Sequence, residues 1–436
     1  MGVISVELSL KRYRLTGNFY IPFNHLRTKK PPMKPSQTTV SEDKDRFQLG
    51  RVLTLSICHF IHDAYTSFLA PLLPLLIEKL SMSLTQAGLL TTVMQIPALL
   101  NPYLGSLADK VSVRYFIIFA PGVTAICMSL IGVAPNYATL VLLFFIAGIS
   151  VALFHVPAPV LIYRYSGMRK GLGMSFFMTG GELARTLGPL VAIGAVSLLG
   201  LENIAPLMVV GIAASLLLYF RFQHVPVAKR ANHSATMKDA WQESRHIFRP
   251  LGAILFFRGF MHASGATFLP TFVNEYTGSL WLAGISLTVY ESAGVLGAMS
   301  CGHLSDRFGR RRLLLLTLLS APPFLFAFVL LNGFYWLQLI TLFGLGFTLL
   351  STTPVMLAMV QEHAPDHPAT ANGFFMMISF LARSAVVVLV GAIADLIGLG
   401  NTYLFSAALG LGAIPFILSL PGEVQRLKEE PAEEPA

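Results

Sequence analysis

The sequence predicts an all-α membrane protein, with twelve transmembrane helices in two six-helix bundles. Three observations predict it. Hydrophobic residues make up 54% of the chain and charged residues 12%, too little charge to cover a surface that faces water on all sides. The apolar residues arrive in blocks of about 20, the length a helix needs to cross the hydrocarbon core. The chain also repeats itself at an offset near 200 residues, by the matches quoted below. The short alternating segments of a membrane barrel are not the pattern here.

In chain order, residues 1–50 are polar and basic and lack the apolar run of a signal peptide. They are expected to form a disordered cytoplasmic tail, in which Met33 is a second candidate start. The N-terminal bundle is expected over 51–221, with spans 1 to 6 at 51–79, 84–107, 114–133, 137–163, 171–199 and 203–221. A cytoplasmic linker follows at 222–250. Its Met237, Trp241 and Phe248 sit at helical spacing, which suits a short interfacial helix; an unstructured linker is the alternative. The C-terminal bundle is expected over 251–420, with spans 7 to 12 at 251–275, 282–304, 313–332, 335–361, 373–398 and 402–420. Residues 421–436, ending EEPAEEPA, are expected to be a disordered cytoplasmic tail.

The net charge of +9 is explained by topology. With the N-terminus inside, the even-numbered connections face the cytoplasm. They carry Lys110 and Arg114; Arg164, Arg169 and Lys170; six basic residues from Arg221 to Arg249; and Arg307, Arg310, Arg311 and Arg312. The odd-numbered connections carry only Lys79. This positive-inside bias places both termini in the cytoplasm, and no nucleic-acid partner is expected. Cys58, Cys127 and Cys301 all fall in spans and imply no disulfide framework. No G-x-x-x-x-G-K-[ST] loop occurs, so an ion gradient rather than ATP is the expected energy source.

The repeat is written in three places. GSLADKVSVR from Gly105 matches GHLSDRFGRR from Gly302; LART at 183–186 matches LARS at 381–384; FIHDAYTSFL at 60–69 matches FMHASGATFL at 260–269. Six spans per repeat return the chain to the same side. The two bundles should therefore be related by a pseudo-twofold axis along the membrane normal, with a site between them at mid-depth. Twelve spans in two halves, with G-x-L-x-D-[RK] after spans 2 and 8, resemble the major facilitator superfamily. SICHFIHDAYTSFLAPLLPLL, ALFHVPAPV and GMSFFMTGGELARTLGPLV, in that order, are similar to the fosmidomycin resistance protein family of efflux transporters. The chain departs from that family at His62, often Asn there, and at FHVPAP, where the family has FHPE. Span 5 also carries Glu182 and Arg185, which the fosmidomycin exporter lacks.

Ionisable residues inside the spans are the candidate site, because a charge facing lipid costs several kcal/mol and must turn inward. In span 1, Ser56, His59, Asp63, Thr66 and Ser67 form one stripe. His59 and Asp63, four apart, can meet on one helix face. Together with Glu182 they are the candidate proton-coupling groups. Glu182 and Arg185 lie three apart in span 5, beside a stripe of Gly180, Ala184, Gly188 and Ala192 that admits a close helix neighbour. Arg185, Arg258 and Arg383, with Glu291, His155 and His262, are candidate substrate-binding groups, since converging guanidinium groups suit a carboxylate, phosphate or phosphonate. His59, His62, Asp63 and His155 have a spacing permissive for a divalent metal but not specific to one, so no metal or other cofactor is expected. The loop residues Gly105, Asp109 and Arg114, and their counterparts Gly302, Asp306 and Arg310, are candidate gating groups. The resemblance implies that they latch the cytoplasmic side.

The resulting expectation is a monomeric secondary transporter in the cell (inner) membrane. It would export small anionic or amphipathic compounds by alternating access, with protons as the coupling ion. Import of an anionic metabolite on the same scaffold is the alternative. A membrane-embedded enzyme with His155 or His59 as base is a remote one, because the candidates lie at mid-depth and follow the repeat.

Overall fold

The structure is a computed structural model that describes residues 46–101, 104, 114–223, 237–363 and 368–421. All of these belong to one compact unit, and every regular element among them is a helix. Ten of these helices are long and apolar enough to cross a membrane, by length and composition. They fall at spans 1, 3 to 6 and 8 to 12. Span 2 is the shorter apolar helix Leu84–Leu100. Span 7 is made of Met237–His262, a π-helical turn at Ala263–Phe268, and Leu269–Thr277.

The second half of the linker therefore differs from both expectations for it. Residues 237–250 are neither a separate interfacial helix nor a coil, but the first turns of span 7. Trp241 stacks on Phe248 with ring centroids 5.5 Å apart and meets the edge of Phe374 at 5.2 Å. Those contacts fix the entry of span 7 against span 11. The breaks further along spans 1 and 7 correspond. Span 1 is interrupted between Thr66 and Leu69. In span 7 the π turn lies where a Cβ on Gly265 would stand 2.8 Å from the Tyr290 ring, and where Tyr403 donates to Ser264 O at 2.7 Å. Such turns often mark functional sites in helices.

The packing obeys the repeat. Within the first half, span 1 packs on 5, 2 on 4 and 3 on 6; within the second, 7 packs on 11, 8 on 10 and 9 on 12. Between the halves, span 2 packs on 11 and span 5 on 8. Two hydrogen bonds cross the interface at matching positions. Thr92 donates to Ser384 O at 2.9 Å, and Thr288 donates to Thr186 O at 3.0 Å. The segments SLTQAGLLTTVMQ (83–95) and SLWLAGISLTVYE (279–291) explain this, since they align Thr92 with Thr288 and Gln95 with Glu291. Gly88 and Gly391 let the backbones of spans 2 and 11 touch: a Cβ on either would lie 2.8 or 2.4 Å from a carbonyl oxygen of the other helix.

The ends of spans 1, 5, 7 and 11 that lie farthest from the start of span 1 form the distal face. There the segments Leu69–Leu80 and Leu269–Thr277 pack together. Asp395 closes the same face. Its carboxylate accepts from Leu84 N–H at 2.7 Å, Thr85 N–H at 2.9 Å and the Thr85 hydroxyl at 2.5 Å. A carboxylate at a helix N-terminus meets unpaired N–H donors and the positive end of the helix dipole. Span 11 thus caps span 2 across the bundle interface, beside span 2's own Ser83–Gln86 capping box. Asp395→Ala should remove about 1–2 kcal/mol of this cap and shift the population about tenfold toward distal-open. Spin labels at Glu78 and Glu275, read by electron–electron distance measurement, would show a longer distance gaining weight.

Candidate functional site

The small-residue stripe of span 5 receives span 1. A Cβ on Gly180 would lie 2.5 Å from Ser56 O, and one on Gly188 would lie 2.8 Å from the Ser67 Cβ. This contact turns the polar stripe of span 1 inward: His59, His62 and Asp63 are 4%, 0% and 7% exposed. His155, the last residue of the helix Tyr137–His155 in span 4, completes the group.

Asp63 lies among three imidazoles. His59 Nε2 is 3.1 Å from Asp63 Oδ2, while His62 Nδ1 and His155 Nε2 are 2.9 and 3.4 Å from Asp63 Oδ1. His59 Nε2 and His155 Nε2 are 3.3 Å apart. The far nitrogens fix the tautomers, because a carbonyl oxygen can only accept. His59 Nδ1–H donates to Phe177 O at 2.8 Å and His155 Nδ1–H to Val151 O at 3.0 Å. Ser150 donates to Ala120 O and Thr124 donates to Ser150, so Thr124 is left to accept from His62 Nε2–H, 3.1 Å away. Each neutral ring therefore turns a bare nitrogen toward a carboxylate that has no hydrogen to give. Only a cation held among these groups, whether proton or metal, reconciles the contacts. His59 stacks on Phe177 at 4.0 Å and His62 on Phe154 at 4.6 Å, which holds the rings in place.

Arg185 sits on the next turns of span 5. It pairs with Glu182 on its own helix and lies 3.8 Å from Glu291 of span 8. Its side chain is 51% exposed and that of His155 37%, although both lie within spans and Arg185 faces the other half of the molecule. Open space therefore reaches both groups between the bundles.

The second half builds a pocket of opposite character. It is about 20 Å³, enough for one water, and is lined by Arg258, His262, Thr353, Ser379 and Arg383 with Leu255 and Gly259. Arg258 is buried and donates to Leu349 O at 3.3 Å and Thr353 Oγ1 at 3.2 Å, while its Nε and the Ser379 hydroxyl have no partner. Arg383 lies over the Phe380 ring, 5.7 Å from its centroid. Among the described residues, no carboxylate lies within ion-pair distance of either guanidinium. His262 Nδ1 is 3.4 Å from the Tyr290 hydroxyl.

This pocket is the repeat mate of the histidine cage. At an offset of 200 residues His62 corresponds to His262 and Asp63 to Ala263; at an offset of 198, His155 corresponds to Thr353, Gly181 to Ser379, Glu182 to Phe380 and Arg185 to Arg383. The cation–π contact of Arg383 thus stands where Arg185 has the Glu182 pair. Gln95, whose buried Oε1 is unpartnered, takes the place of Glu291. Among the expected gating groups, Gly105 and Asp109 lie outside the described residues. Gly302 lies in the helix Leu280–Phe308. Asp306 pairs with Arg310 at 2.7 Å, and Arg310 also holds Glu362 at 2.9 Å. Arg114 lies 4.9 Å over the Tyr115 ring. Glu362, Gln95, Asp395, Thr124 and Ser150 are the residues that reading the sequence missed. Only Gln95 had a signal there, through its alignment with Glu291.

The family model of the Major Facilitator Superfamily matches residues 55–387. The chain belongs to this superfamily. Across it, the chain is 25% identical over 393 residues to the uncharacterized MFS-type transporter YfnC of Bacillus subtilis, covering 87% of this chain and 94% of that one. It is 24% identical over 389 residues to the fosmidomycin resistance protein of Escherichia coli, covering 87% and 95%. A solved bacterial homolog of the human lysosomal transporter Spinster shares the fold with a TM-score of 0.75 at 15% identity, over 86% of this chain and 97% of that one. This superfamily member is a multi-pass membrane transporter of small molecules rather than an enzyme.

A Cβ on Gly181 would lie 2.7 Å from the His59 ring and 3.3 Å from Asp63 Oδ2. Gly181→Val should therefore displace the cage and reduce transport at least tenfold, while the protein still inserts and elutes as one species. Transport in vesicles, with size-exclusion chromatography beside it, checks both halves of that statement.

Proposed function

We propose that this transporter exports small anionic or amphipathic compounds across the cell (inner) membrane, driven by the proton gradient. In this reading it works as a monomer with both termini cytoplasmic and its distal face outward. One observation carries the substrate class: two guanidinium groups, Arg258 and Arg383, sit inside the spans with no carboxylate partner among the described residues. Arginine keeps its charge, so the pair favours an anion, and the pocket, which here has room for one water, would admit a phosphate-sized group as the bundles rock apart. Glu182 and Glu291, both on Arg185, are the carboxylates placed to carry the coupling proton. A buried carboxylate that loses its counter-ion sheds its charge by taking a proton. Asp63 and His59 enter as a cation site, developed below.

The name of the fosmidomycin resistance protein of E. coli supports export. The placement of Arg185 between two carboxylates favours a second reading. An anion that takes Arg185 from its carboxylates invites a proton to the same place, so the two would travel together, which is import under an inward proton gradient. Proteoliposomes with imposed pH gradients of either sign separate the two readings. Accumulation on the acidic side means antiport, and accumulation on the alkaline side means symport.

The pocket has its own test. Gln95→Glu should give Arg383 the counter-charge that Arg185 already has, and should weaken binding of a phosphonate or phosphate probe about tenfold. Arg383→Gln should do the same by removing the charge. Calorimetric titration of the purified protein reads both. Unchanged affinity in both variants would place the anion elsewhere.

A further inference from the structure

We propose that His59, Asp63 and His155 form a binding site for a divalent transition-metal ion of the zinc class. The site is distinct from the anion pocket and does not depend on the direction or substrate of transport.

Four observations support it. First, the three ligand atoms are already spaced as a metal would hold them. His59 Nε2, His155 Nε2 and the Asp63 carboxylate oxygens stand 3.1, 3.3 and 3.4 Å apart. Ligands about 2.0–2.1 Å from a tetrahedral ion are separated by about 3.3–3.4 Å, so an ion fits here with small adjustments. Second, both imidazoles have the correct lone pair free. Their Nδ1–H groups are committed to Phe177 O and Val151 O. Anchoring the second ring nitrogen on a backbone carbonyl is the usual support of a metal-bound histidine, since it fixes tautomer and ring angle. Third, a further bare nitrogen faces the same carboxylate: His62 Nδ1 lies 2.9 Å from Asp63 Oδ1 while its Nε2–H is held by Thr124, so the group gathers lone pairs and an anion with no donor among them. Fourth, the set is open on one side. Asp63 and His59 are buried, but the His155 side chain is 37% exposed, which leaves a fourth position for water or an anion and a route of entry.

Proximity alone does not make such a site, and the molecule offers its own contrast. His246 and His363 also approach each other, with ring centroids 5.7 Å apart. Among the described residues they have no carboxylate between them, although His363 Nδ1 is anchored on Met359 O just as His155 Nδ1 is on Val151 O. The cage differs in having an anion at the point where its two nitrogens meet. Two nitrogens and one oxygen at tetrahedral separations suit zinc-like ions better than calcium or magnesium, which prefer six or more oxygen ligands.

The test is metal binding itself, on purified protein with any polyhistidine tag removed. Titration with Zn²⁺ should show one site, and Co²⁺ should give the intense visible absorption of tetrahedral coordination. Asp63→Asn and His155→Ala should each weaken Zn²⁺ binding at least a hundredfold, while His246→Ala with His363→Ala leaves it unchanged. Arg383→Gln should also leave it unchanged although it weakens the anion probe, so failure of the metal site and failure of the anion pocket are separate results. Should the cage variants misfold, zinc X-ray absorption on the unaltered protein serves instead and should show two imidazoles in the first coordination sphere. Absence of a Zn²⁺ site in the unaltered protein, binding indifferent to Asp63→Asn and His155→Ala, or a coordination sphere without imidazole would each overturn the proposal.

Discussion

The hydrocarbon core offers no partner to a charge, so every ionisable group inside the spans must find one within the protein or in water the protein admits. That constraint arranges the interior of this molecule. Asp63 is enclosed by three imidazoles, Arg185 lies between Glu182 and Glu291, and Arg258 leans on Thr353 and the Leu349 carbonyl. All of these face the interface between the two halves or the helix pairs beside it. The close contact of spans 1 and 5 at Gly180 and Gly188 keeps the Asp63 group out of lipid, because a side chain at either glycine would push the two helices apart.

Duplication supplies the frame, and the departures from it supply the chemistry. The Thr92–Ser384 and Thr288–Thr186 hydrogen bonds occupy matching places and hold the halves in matching register. Where the halves differ, the signs of charge differ. Asp63 has Ala263 as its mate, Glu182 has Phe380, and Glu291 has Gln95. The first half thereby keeps Asp63, Glu182 and its histidines, whereas the second half lacks acids at those two points, keeps Glu291 and Arg383, and gains Arg258.

Much of this was legible in the sequence, for reasons specific to membranes. Blocks of apolar residues identify spans because backbone groups in lipid must satisfy themselves within one helix. The offset between FIHDAYTSFL and FMHASGATFL identifies the two halves. Helical spacing brings His59 and Asp63 together, and charge inside a span marks both as inward. Other features were not legible because they depend on distant segments. His155 approaches Asp63 only through the packing of span 4. The tautomers of all three histidines depend on Phe177 O, Val151 O and the Thr124–Ser150–Ala120 chain, none of which has a local signature. The spacing of His59, His62, Asp63 and His155, merely permissive for a metal in the sequence, acquires definite distances only when packing brings His155 Nε2 3.3 Å from His59 Nε2. The continuity of residues 237–250 with span 7 was equally hidden, because a polar amphipathic stretch does not reveal whether it continues into the next helix.

The proposed cation and anion sites would influence one another without touching. Each belongs mainly to one half, and the halves meet through few polar links: the Thr hydrogen bonds, the Asp395 cap and the Arg185–Glu291 approach. A cation in the cage adds positive charge beside Arg185, whereas an anion in the second half competes with Glu291 for the same guanidinium. Either event changes the attraction across the interface and therefore the balance between states in which the bundles are rocked one way or the other. Coupling of this kind is a difference in binding free energy between states, and it acts on both ligands reciprocally. Arg185 is the group through which such coupling would pass, because it alone among the described arginines has a carboxylate from each half.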